Sequence, residues 1–198
     1  MLQFPQNHAI SPRTGVLAGM IAFAVGVRLL IYFVPGLFPY NFTPVEAIAL
    51  FGGAYFADRR LAFGVPLAAM LVADLVIATA LPREWIGDWL GTLPAVYGCI
   101  ALTVVGGLSL SRRISAFRVT GYAFASAVLF FLVTNFATWL TAQVGSGQAC
   151  TQSLAACYVA GIPFFRGTLA GTLAWSLLLF GGFELMRRRW SVLATAAA

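Results

Sequence analysis

Long apolar stretches interrupted by clusters of arginine constrain this chain more than any other feature. Arg13, the Arg59-Arg60 pair, Arg112 with Arg113 and Arg118, and the Arg187-Arg188-Arg189 run punctuate it at near-regular intervals. There are twelve arginines and no lysine, and nine of the arginines lie in those four clusters. Cytoplasmic loops of membrane proteins carry such an excess, so the clusters give both a span count and an orientation. Only 9% of residues are charged and 61% are hydrophobic, against about 25% charged in an ordinary soluble domain. The chain reads as a single-domain, all-α integral membrane protein.

The net charge of +6 does not point to nucleic acid, because the arginines are spread over helix ends rather than gathered on one soluble face. Membrane lipid is the partner they imply. Without lysine there is no Walker A motif, so the chain is not itself a P-loop ATPase. The segment Met1–Pro12 lacks a basic region, and the apolar stretch after it is long. A retained first span is expected rather than a cleaved signal peptide. The single histidine, His8, reads as a solvated tail residue.

A bilayer core of about 30 Å needs about 20 apolar residues per helix. Six spans are predicted, at about 14–34, 45–57, 61–81, 93–110, 119–141 and 167–186, with both termini cytosolic. The second is the shortest. Pro35, Pro39 and Pro44 break the chain before it. Pro82–Thr92 is predicted as an outer loop with Trp85 and Trp89 as interfacial anchors, and Ala142–Arg166 as a longer one. No internal repeat of the kind found in many secondary transporters is present.

Ionisable groups inside a bilayer cost several kcal/mol unless paired or facing a cavity. Arg28 lies fifteen residues beyond Arg13, or roughly 22 Å up its helix. Asp74 lies fourteen beyond Arg60, or roughly 21 Å up its own. The two are therefore expected at one height, as a structural ion pair, a ligand group, or both. Glu46 starts the second span from the outer side, where the helix dipole also favours it. Tyr97, Asn135, Thr138, Trp139, Arg166 and Thr168 reach the same layer from the remaining helices. Singly, each has a plainer reading, as an interfacial belt residue or an interhelical hydrogen bond. Together they suggest a small-molecule site opening outward under the Pro35–Pro44 and Ala142–Arg166 segments.

Gly15, Gly19, Ala22 and Gly26 recur at helical spacing opposite Arg28. Small residues so placed let another helix approach, either within the bundle or from a partner. Phe51-Gly52-Gly53 permits close packing or a kink. Cys150 and Cys157 fall on the oxidising side, where a loop disulfide is plausible. Cys99 reads as a packed apolar residue, with a soft metal ligand as the alternative. No second histidine, HExxH or GxSxG is present, so no enzyme, cofactor or metal site is expected.

Several of these segments carry a resemblance. They are Asn41-Phe42-Thr43-Pro44 leading into Glu46–Phe56, Pro66–Leu75, Asn135-Phe136 with Trp139, and Gly161-Ile162-Pro163-Phe164. In them the chain resembles a family of small bacterial membrane proteins with a domain of unknown function, described as candidate transport proteins. More broadly it is similar to the substrate-binding S components of energy-coupling factor (ECF) transporters. That likeness implies a six-helix fold that binds a vitamin or trace metal from outside. It also implies a first-helix docking face for a coupling protein, which works with two cytosolic ATPases. No motif for a particular vitamin is matched.

The reading is a substrate-capture subunit for uptake of a small micronutrient, such as a vitamin or its precursor, in the bacterial inner membrane. Asn41, Glu46, Asp74, Tyr97, Asn135, Trp139 and Arg166 are the candidate binding residues, and Arg28 is the charge partner of Asp74. Two alternatives stand beside it: a structural or assembly membrane protein, and a solitary proton-coupled secondary transporter.

Overall fold

The computed structural model describes residues 11–142 and 149–193. His8 and the side chain of Trp85 lie outside the described residues. Seven helices and no strand occur among those residues: α1 (Pro12–Phe33), α2 (Val45–Tyr55), α3 (Arg59–Ala80), α4 (Arg83–Leu110), α5 (Ala116–Thr141), the short α6 (Ala149–Gln152) and α7 (Leu154–Arg189). A 3-10 turn at Ser191–Leu193 follows. Five of them, α1, α3, α4, α5 and α7, are long and apolar enough to cross a membrane. Such a set marks a multi-pass membrane protein.

The second expected span, α2, has 11 residues, about 16 Å of helix, and is too short to cross unaided. All of its residues are buried. It forms the axis of the bundle, touching α1, α3, α4, α5 and α7. A helix that is apolar all round belongs in such a place. Glycine sets its distance from α4: a Cβ on Gly53 would come within 2.9 Å of the Gly107 Cα, and the converse holds for Gly107. The glycines after Phe51 therefore serve close packing.

Two expected loops are helical. Pro82, at φ −56° and ψ 140°, starts α4 at once, and Glu84 lies in its favourable first turn. The Pro82–Thr92 segment is therefore the cap and first turns of a 28-residue helix. Arg83 and Glu84 are exposed at its start.

Similarly, the last helix begins at Leu154 rather than near Gly167. The Ser153 hydroxyl accepts from the Ala156 N–H at 3.1 Å and caps it. Pro163 leaves one carbonyl of α7 without its helical donor. The helix runs through regardless, braced by α5: the Tyr158 hydroxyl donates to the Leu132 carbonyl at 2.8 Å, and the Phe131 and Phe165 rings lie 4.8 Å apart. Cys150 and Cys157 are disulfide-bonded, tying α6 to the first turn of α7.

Candidate functional site

A cavity of about 250 Å³ lies among the helices at the end remote from the arginine clusters. Its wall takes Arg28 from α1, Glu46 from α2, Asp74 from α3, and Trp89 and Thr92 from α4. Thr134 and Thr138 come from α5, Thr168 from α7, and Asn41 and Thr43 from the segment before α2. A second cavity of about 290 Å³ shares Trp89, Thr92 and Thr138 with it and adds Asp88 and Thr141. Those three shared residues form a partition between an outer vestibule and the inner chamber.

The charged groups are fixed by one another. An Arg28 Nη2 donates to Asp74 Oδ1 at 2.8 Å, and the Tyr97 hydroxyl donates to Asp74 Oδ2, also at 2.8 Å. Both Asp74 oxygens are thus engaged, as a carboxylate that is 3% exposed requires. Arg28 keeps an edge on the cavity. Glu46 is 2% exposed and accepts from the Thr172 hydroxyl at 3.1 Å. It lies inside the bundle, not at a wetted interface.

Two glycines of α7 put the Asn41–Thr43 backbone over this chamber. A Cβ on Gly167 would collide with the Tyr40 carbonyl, and one on Gly171 would come within 3.0 Å of the Phe42 Cα. Glycines spaced by four on one helix face make a groove, and here it receives the turn at Tyr40–Thr43 instead of a second helix. Asn41 itself adopts φ 58°, a left-handed conformation that asparagine tolerates better than most residues. The turn this permits lets Val45 begin α2 already buried.

Of the residues singled out from sequence, Asn41, Glu46, Asp74 and Arg28 line the chamber, and Tyr97 joins through Asp74. Three lie elsewhere. Asn135 is one position round α5 from the Thr134–Thr138 face. It packs on Gly161 of α7, and its amide donates to the Phe131 carbonyl at 2.8 Å. Trp139 packs its ring 5.7 Å from that of Phe136, off the cavity wall. Arg166, expected at the mouth of the sixth span, is exposed on the outer face of α7 because that helix begins twelve residues earlier.

The threonines were underweighted from sequence. Phe130, Thr134 and Thr138 follow one another at four-residue spacing, as do Thr168 and Thr172, and each set lies on one helix face.

Residues 8–194 match a family of unknown function, DUF6580. The chain belongs to that family. No curated protein and no solved structure matches it. In this DUF6580 chain the segment Asn41–Phe56 runs from the chamber's rim through Glu46 to the far end of the central helix.

Proposed function

We propose that the chain captures a small polar molecule for import. In this reading it is the substrate-binding subunit of a bacterial inner-membrane transporter, in the manner of an ECF S component. One observation carries it: all five long helices and α2 send side chains to a single cavity that holds Arg28, Glu46, Asp74 and several threonines. At about 250 Å³ the chamber falls just below the usual pocket range of about 300–1,000 Å³, which suits a vitamin precursor or similar small solute. Glu46, Arg28 and the threonine hydroxyls offer charge and hydrogen bonds, while Asn41 and Thr43 cover it. In the membrane α2 is the shortened second span and both ends of the chain are cytosolic, in line with the arginine count.

The face of α1 carrying Gly15, Gly19, Ala22 and Gly26 is exposed along its whole length. That exposure supports docking of a coupling protein with its two ATPases. The test is mass spectrometry of the gently solubilised protein from its native membrane, recording small molecules and co-purifying proteins together. A micronutrient found with a coupling protein and ATPases is the expected result. A ligand without partners would replace the subunit reading with a solitary transporter.

The structural reading keeps one observation in its favour, the full engagement of both Asp74 oxygens. It requires that a charge-swapped Arg28→Asp/Asp74→Arg protein recover both stability and phenotype. Capture requires that the swap restore at most stability.

A further inference from the structure

At the opposite, arginine-rich end a separate cavity of about 510 Å³ lies between the α4–α5 turn and the last turns of α7. Four guanidinium groups border it: Arg112, Arg113, Arg187 and Arg188. Its one carboxylate, Glu184, is already neutralised, accepting from Arg187 and from the Tyr55 hydroxyl at 2.6 Å each. Arg118 turns away to donate to the Arg113 and Ser109 carbonyls at 2.7 and 3.0 Å. That ties the turn and leaves Arg112 and Arg113 without a side-chain partner among the described residues. The first turn of α5, at Ser115 and Ala116, adds a positive helix end.

The other wall is apolar. Leu173, Leu177 and Phe180 of α7 line it, and Leu177 is 77% exposed, so the cavity opens sideways along the bundle. One polar group interrupts this wall. Ser176 borders the cavity, and its hydroxyl is buried with no hydrogen-bond partner among the described residues. It lies eleven residues before Arg187, or roughly 16 Å along α7, about the depth of one leaflet of hydrocarbon. Long arginine side chains reach down such a groove. A cationic mouth above an apolar side wall matches a ligand with an anionic head and a chain.

We propose that this cavity is a specific site for an anionic phospholipid. The phosphate is held by Arg112, Arg113 and Arg188, and the chain lies against Leu173, Leu177 and Phe180. The assignment does not depend on the polar chamber at the other end.

The test is native mass spectrometry of the delipidated full chain titrated with phosphatidylglycerol or phosphatidylcholine of matched chains. A parallel arm measures thermal stabilisation by inorganic phosphate alone. One phosphatidylglycerol should be retained preferentially. Arg112→Gln/Arg113→Gln should weaken that retention by roughly tenfold or more, since each basic residue contributes about 1 kcal/mol toward anionic lipid. Arg59→Gln/Arg60→Gln, which removes two arginines from another cluster, should leave it intact. Equal retention of phosphatidylcholine would overturn the proposal, as would equal loss with both arginine pairs. Stabilisation by inorganic phosphate matching that by phosphatidylglycerol would replace the lipid with a free-phosphate site.

Discussion

The two ends of the central helix α2 solve opposite problems with the same eleven residues. At its first turn Glu46 looks into a chamber bounded by charges, hydroxyls and a loop backbone. At its last turn Tyr55 joins Phe51, Phe180 and Phe183 in a cluster whose rings lie 4.5–5.8 Å apart. Arg13 lies over that cluster, 5.7 Å from the Phe183 ring centre, and donates to the Tyr55 carbonyl at 3.1 Å. Polar groups that must be paired in fixed directions bound a volume without filling it, whereas aromatic rings interlock and close it. The polar end is therefore backed by a packed floor. The difference favours a vessel open at one end over a continuous pore.

The largest expected effect separates pairing from capture. Arg28→Ala leaves Asp74 buried without its cation and should cost about 3–5 kcal/mol, read as a loss of thermal stability in detergent. An Arg28→Ala/Asp74→Ala double variant should regain most of that stability yet still fail to capture solute. If it captures normally, the charges at the polar end serve structure alone. Phe183→Ala tests the other end. Removing a fully buried ring costs about 3 kcal/mol or more, and capture by the protein that still folds should persist.

Gly171→Val asks whether the loop over the chamber depends on the α7 groove. The added side chain would press on Phe42 and Thr43 and should cost about 1–3 kcal/mol, with capture weakened alongside. Unchanged stability and capture would show that the loop is not held there. At the small end, Arg166→Gln alters an exposed side chain away from the cavity and should change stability by less than about 0.5 kcal/mol. Capture, measured in the same titration, should be unaffected.

Periodicity of apolar segments and arginine clusters made five of the long helices legible, along with the depth match of Arg28 and Asp74. Counting residues up two helices gives their shared height, and the structure adds their contact at 2.8 Å. What the residues did not disclose were helix ends. Pro82 and Pro163 look like breaks, yet the first starts α4 and the second sits inside α7, because proline is tolerated in a first turn and where packing holds the helix. Misplacing the start of α7 put Arg166 at the mouth of the site. For Asn135 the error was rotational: a step of 100° per residue separates it from Thr134, and only the packing of α5 shows which of the two faces the chamber. The part of Gly167 and Gly171 was hidden for another reason, since their partner is a loop backbone that has no sequence periodicity.

The central claim is that the chamber opens only at the end away from the arginine clusters. Thiol labelling with a membrane-impermeant reagent tests it directly, using Thr138→Cys in a Cys99→Ala background, with Cys150 and Cys157 left bonded. Applied to intact spheroplasts, the reagent should label the introduced thiol, and solute carried by the protein should slow that labelling. Labelling only in inverted vesicles, from the arginine-rich side, would contradict the account.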